Sequence, residues 1–200
     1  ESVFRALRTP LADPRAEVIA GVLLIPMLLS VAIWNGFPLI FYDTGAYILQ
    51  GLGREFVVER SPVYSLFLGY GGGGRSLWLI AVIQAALTAF VIVESARCVA
   101  PKMGIAIFTG VALALVIFTG LPWYAGQIEP DCFTAVTVLC TYLLALHTRG
   151  MGLARSIAVF SIGSFAAATH PSHLMLTVGL VLVVSGINGV GTAWHGRDAL

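Results

Sequence analysis

Six apolar runs divide this chain, at residues 18–41, 76–96, 105–124, 132–146, 153–169 and 174–190. A helix needs about 17 to 25 apolar residues to cross the hydrocarbon core of a bilayer. The runs meet that length, except that the fourth and sixth are short. None shows polar positions recurring at the helical period, which would mark the wetted faces of a soluble bundle. Pro26 and Gly110 fall inside the first and third runs, and both residue types are tolerated in lipid-embedded helices. The pattern predicts an all-α fold, a polytopic transmembrane helical bundle of about six spans forming one domain over residues 1–200.

The connection at 42–75 is too long for a plain turn and too apolar for a disordered linker. It holds Ala46-Tyr47-Ile48-Leu49 and Val63-Tyr64-Ser65-Leu66-Phe67-Leu68, separated by the charged stretch from Arg54 to Arg60. Two short amphipathic helices lying at the membrane surface fit this arrangement. Gly71 to Gly74 then forms a flexible link into the second span.

Composition agrees with lipid as the main solvent. The chain is 58% hydrophobic and 10% charged, with a mean hydropathy of +0.92. A soluble domain carries roughly a quarter charged residues to keep its surface wetted. The net charge of +1 says nothing about a nucleic-acid partner, and no basic cluster suggests one. Cys98, Cys132 and Cys140 share no metal-ligand spacing and imply neither a disulfide nor a redox role.

Charge also sets a direction. With a cytoplasmic N-terminus, Arg5, Arg8, Arg15, Arg97, Lys102, Arg149, Arg155 and Arg197 all fall inside, and only Arg54, Arg60 and Arg75 fall outside. Every turn then obeys the positive-inside pattern. Three connections face outward: 42–75, the turn around 126–131, and the turn at 170–173.

The outward connections hold the candidate chemistry. Asp43, in Tyr42-Asp43-Thr44-Gly45, stands directly after the first span. It can meet a phosphate, a metal or a hydroxyl, or it can cap the helix that follows. The second turn, Gln127-Ile128-Glu129-Pro130-Asp131, sets two acids around a proline with no basic neighbour in sequence. There Asp131 can serve as an N-cap, and Glu129 can simply be solvated. The third turn, His170-Pro171-Ser172-His173, pairs two histidines three residues apart, suited to phosphate or sugar hydroxyls and, with a further ligand, to a metal. Carboxylates at a membrane boundary are functional candidates by default. Glu94, near the inner end of the second span, has Arg97 at i+3 as a ready partner.

This arrangement resembles the GT-C superfamily of membrane glycosyltransferases, the polyprenyl-phosphate-sugar-dependent enzymes of the protein mannosyltransferase and aminoarabinose transferase type. The resemblance lies in an inside N-terminus, a first span, and Asp43 at the head of a long outer loop. It extends to Arg60-Ser61-Pro62-Val63-Tyr64 later in that loop and to the acidic and histidine-bearing turns. It covers topology and few diagnostic residues; such enzymes usually have more spans, so the resemblance implies either the N-terminal part of a longer enzyme or a shortened relative without activity. Family members often carry paired acids where Asp43 is followed by Thr44.

The resemblance implies sugar transfer from a polyprenyl-phosphate carrier to an acceptor on the outer face of the cell envelope. It implies Asp43 as general base, with Arg54 and Arg60 holding the lipid phosphate and Tyr64 close to them. Glu129, Asp131, His170 and His173 would contact acceptor or metal. The family often uses a divalent metal ion, for which Asp43, Glu129 and His170 are the candidate ligands here. The implied partners are the bilayer and a lipid-linked sugar.

Two other classes compete. A non-catalytic subunit of a larger membrane complex would use small residues such as Ala81, Ala85, Ala86 and Ala89 for close helix contacts. A transporter segment would place ionisable groups at mid-depth, where this chain has mainly Gln84, Thr88, Thr137 and Thr141. A rhomboid-type protease would need a serine and a histidine facing each other, and Ser161, Ser164 and His170 share no such motif.

Overall fold

A computed structural model describes residues 9–53, 58–71 and 76–195, with side chains described up to residue 186. Arg54, a candidate phosphate contact, and Gly72 to Gly74 of the glycine link lie outside the described residues. The described chain is helical throughout, and its only β pairing is two isolated bridges.

The first expected span is interrupted. Helix α1 runs over Pro14–Leu28 and α2 over Ser30–Asn35. Asp13 caps α1, accepting from the Arg15 and Ala16 amides at 2.8 and 3.4 Å. Gly36 ends α2 in the left-handed region at φ 75°, and Pro38 follows, a helix-stop arrangement that an apolar count does not register. Residues 37–41 then pass as extended chain and turn rather than helix.

The 42–75 connection forms the two expected short helices, α3 at Thr44–Gly51 and α4 at Pro62–Gly71. Helix α5, Leu77–Val99, is capped by Ser76, whose hydroxyl accepts from the Leu79 amide at 3.3 Å. At 23 residues it extends roughly 35 Å. It is the one helix among the described residues long and apolar enough to cross a membrane.

The third expected span ends early. Helix α6 covers Ile105–Phe118, and a short α7, Leu121–Ala125, follows a break at Thr119 and Gly120. A 3₁₀ turn at Pro130–Phe133 leads into α8, Thr134–Leu146. The one-turn helix α9 at Thr148–Met151 precedes α10, Leu153–Ala168, and α11 is Pro171–His195. Apolar stretches shorter than a full crossing lie at 105–118, 130–146, 153–168 and 171–186. The all-helical class therefore holds, while among the described residues only the second of the six expected spans has a helix both long and apolar enough for a full crossing.

Helix α1 packs on α5 and α6, and α8 packs on α5, α10 and α11. A ladder of rings binds α3 and α4 to this frame. Tyr47 on α3 meets Tyr64 on α4 edge-on at 5.0 Å, and Phe67 reaches Phe165 of α10 at 5.3 Å. Phe133 meets Phe165 at 5.2 Å. Such offset and edge-on pairs add about 0.5–1.5 kcal/mol each beyond area burial.

At the opposite end of α5, buried Glu94 takes a two-pronged hydrogen bond from Arg97 and a further one from Arg155 Nη1 at 2.7 Å. Arg155 also grips Glu17 through Nη1 at 2.5 Å and Nη2 at 2.7 Å. One guanidinium thus ties α1, α5 and α10 together. The Glu94–Arg97 pair follows from helical spacing; the tie through Arg155 spans 138 residues of chain.

Candidate functional site

Three connections that are distant in sequence are stitched together at one end of the bundle. Leu39 pairs with the second turn, donating its amide to Gly126 O at 2.9 Å and accepting from the Ile128 amide at 2.8 Å. The Thr44 hydroxyl donates to Ile128 O at 2.9 Å and accepts from the Phe41 amide at 2.8 Å. Ser61 donates to Ala168 O at the end of α10 at 2.6 Å. Backbone and hydroxyl bonds therefore fix the 39–44 segment to the 126–131 turn, and the start of α4 to the end of α10.

Asp43 occupies the N-cap position of α3 but makes no capping hydrogen bond. Thr44 supplies the local hydroxyl contact instead, and the Asp43 carboxylate takes Arg60 Nη2 at 2.5 Å. The Arg60 guanidinium also lies 5.8 Å from the centre of the Tyr47 ring, within cation–π range. It makes no other hydrogen bond among the described residues, and its buried Nε has no partner. Burial, offset in part by Arg60, pushes the Tyr47 phenol up to about 12.

Glu129 was open to a solvated reading in the sequence, and its placement is the reverse. Only 8% of it is exposed, and its carboxylate has no hydrogen bond or ion pair among the described residues. Burial first, then the nearby charges of Asp131 and Asp43, push its pKa up to about 7, and Arg60 offsets only part of this.

Asp131 lies within the 3₁₀ turn rather than at a helix cap, and its side chain is 51% exposed. Its Oδ1 is 4.0 Å from His173 Nε2. His173 is buried and committed: Nε2 meets Thr134 Oγ1 at 2.8 Å, and Nδ1 meets Ala166 O at 3.1 Å. His170 is half-buried, with Nδ1 against the Ser172 hydroxyl at 2.7 Å and its ring 5.4 Å from that of His173.

Tyr64, expected beside the substrate, has no exposed surface to offer one. Its hydroxyl donates to Gln84 Oε1 at 2.8 Å, and Gln84 Nε2 donates to Gln127 O at 2.9 Å. Tyr64 and Gln84 thus hold the second turn from beneath. The role of Gln84 was missed in the sequence, although a lone amide within an apolar helix was the available signal.

Asp43, Arg60, Glu129 and Asp131 accordingly form one charged group, with the histidine turn beside Asp131. A cavity of about 470 Å³ next to it is lined by Thr88, Tyr124, Asp131 and Thr134 with four apolar residues. Asp43 and His170 do not line that cavity. Among the described residues no group of three or more His, Cys, Asp or Glu side chains is disposed to hold a metal ion, and Asp43 already serves Arg60.

No protein-family model, curated protein or solved structure matches this chain. Its functional reading rests on the chemistry of this group.

The raised pKa of Glu129 has a consequence for stability. Folding favours the protonated form, so this residue's contribution is full below its ordinary value near 4.5 and is lost as pH rises through about 7. Thermal unfolding in detergent is expected to show falling stability between pH 5 and 8. Glu129→Gln should flatten that slope, and an unchanged slope in the variant would contradict the burial argument.

Proposed function

We propose that this chain crosses the membrane several times, N-terminus inside, and transfers a sugar from a lipid-phosphate carrier at its outer face in the manner of the GT-C enzymes it resembles. The observation that carries the reading is the convergence of Asp43, Arg60, Glu129 and Asp131 from connections far apart in sequence. A surface of exposed apolar residues such as Val22, Ile107, Phe118, Phe160 and Leu182 supports lipid as the surrounding solvent. Exposed Trp34, Tyr42 and Trp123 suit the membrane–water interface.

The transfer needs a stabilised phosphate leaving group and a proton acceptor for the attacking hydroxyl. Arg60 is the residue for the phosphate, because one N–H goes to Asp43 and the rest of its fork is uncommitted. Asp43 then holds the guanidinium in place and keeps it extended across Tyr47. This moves Asp43 from the role of base, which the resemblance implied, to that of a positioning group. No step is routed through a metal ion.

Arg60→Ala in the full chain, reconstituted in liposomes with a radiolabelled polyprenyl-phosphate hexose and envelope acceptors, is expected to slow transfer about a hundredfold. Arg60→Lys should recover only part of the loss, since an ammonium lacks the fork. Normal transfer by a folded Arg60→Ala protein would overturn the reading in favour of a structural subunit.

A further inference from the structure

We infer that the cavity of about 470 Å³ beside the charged group binds an alkylammonium amphiphile, a molecule with a protonated amine head and an apolar chain. Such a ligand is separate from the sugar transfer proposed above and shares with it only the bilayer as surroundings.

The walls decide what the cavity takes. Thr88 of α5, Ala125 of α7 and Cys132 of the 3₁₀ turn form its buried floor. It opens where Tyr124, Asp131, Thr134 and Ala135 are exposed. Its polar atoms are arranged almost entirely as acceptors. The Thr88 hydroxyl donates its hydrogen to Gln84 O at 2.9 Å, so only lone pairs remain for a ligand. Thr134 is committed in the same way. His173 Nδ1 lies 3.1 Å from the Ala166 carbonyl and so carries the ring hydrogen, because a carbonyl can only accept. Burial favours the neutral ring, whose Nε2 then accepts from the Thr134 hydroxyl at 2.8 Å. Asp131 adds a carboxylate, an acceptor at both oxygens. Among the described residues its one basic neighbour is the His173 ring, at 4.0 Å.

A wall of acceptors around a carboxylate fits a ligand that donates hydrogen bonds and carries positive charge. The surrounding charge agrees, since Asp43 and Glu129 stand in the same group with Arg60 as its cation. Tyr124 brings an aromatic ring to the mouth, a surface that ammonium groups favour. Leu121, Ala125, Cys132 and Ala135 make half of the lining apolar, which suits a chain rather than a second charge. Exposed Phe118 and Trp123 lie close to Leu121 and Tyr124 in sequence, so a chain leaving the mouth meets apolar surface. A bare metal ion would leave most of the space empty, because one water fills only about 30 Å³, and a single carboxylate reaches the cavity. The volume lies instead in the range of small organic ligands.

The test places the full chain in phosphatidylcholine liposomes at neutral pH with spin-labelled stearylamine, and with spin-labelled stearyl alcohol for comparison. Electron spin resonance reads the fraction of each probe that the protein immobilises. The amine is expected to associate roughly tenfold more tightly than the alcohol, as a hydrogen bond to a charged group allows. Asp131→Asn should bring the two probes level. Glu59→Gln, which removes an exposed charge from the 42–75 connection, should leave the preference intact. Thr88→Val keeps the shape but loses an acceptor, and should lower the preference even if Asp131→Asn does not fold. Equal association of amine and alcohol with wild type, or a preference that survives in folded Asp131→Asn or Thr88→Val, overturns the inference. An equal drop in Glu59→Gln overturns it too, because overall charge would then explain the effect. If soluble butylamine displaces the probe as well as unlabelled stearylamine does, the chain plays no part and the amphiphile assignment falls. Each of these outcomes leaves the sugar transfer to its own test.

Discussion

Gly51→Ala is expected to destabilise the protein by about 3 kcal/mol or more, and to pull the candidate site apart with it. A Cβ at Gly51 would lie 2.1 Å from the Ser65 carbonyl oxygen and 2.9 Å from its carbon. One at Gly69 would lie 2.4 Å from the Gly51 oxygen. Each obstruction is backbone, so no side chain can rotate out of the way, and α3 and α4 must separate. The hairpin they form carries Asp43 at its head and Arg60 just before its second helix. Separation would break the Tyr47–Tyr64 contact and pull Arg60 off its partners. Gly69→Ala should behave alike, whereas Gly45→Ala meets open space and should be nearly silent. Chemical unfolding in detergent micelles compares the three, and equal stability for Gly51→Ala and Gly45→Ala would refute the close-contact account.

Arg155→Met is expected to cost about 3–5 kcal/mol. It removes three hydrogen bonds at once, two to Glu17 and one to Glu94. Glu94 is fully buried and would keep Arg97, while Glu17 would be left without its cation. Removing one member of a buried charge group is costly because the partner's charge stays desolvated. The double variant Arg155→Met with Glu17→Gln should recover part of the loss, since no carboxylate is then stranded there. Thermal and denaturant unfolding measure both, and a loss under about 1 kcal/mol in the single variant would show the tie to be a surface pair.

Both effects expose where sequence reasoning stops. The apolar runs reveal the helical class because hydrophobic composition over a window is a local property. Glu94 and Arg97 are legible as partners because three residues is one helical turn. The α3–α4 hairpin is legible from two short apolar segments around a charged stretch. The break in the first run was present as Gly36 and Pro38 but is easily lost in a hydropathy count. Glycines at 51 and 69 carry no sign of which other backbone presses on them.

The candidate site divides the same way. The sequence by itself determined that acids and histidines concentrate in the connections at 42–75, 126–131 and 170–173, because polar residues stand out in a chain with so little charge. It also determined the all-helical class, but of the six spans it predicted, the structure gives a helix long and apolar enough to cross a bilayer, among the described residues, to one, Leu77–Val99. Only the tertiary structure decided that Asp43 pairs with Arg60 across 17 residues rather than capping its own helix. It alone decided that Tyr64 is sealed beneath the site and that Glu129 is left buried without a partner. Pairing and burial depend on which distant segments meet, and Leu39 to Gly126, Thr44 to Ile128 and Ser61 to Ala168 set those meetings. A side chain's charge is written in the sequence, but the solvent and partners that give that charge its chemistry are supplied by the fold.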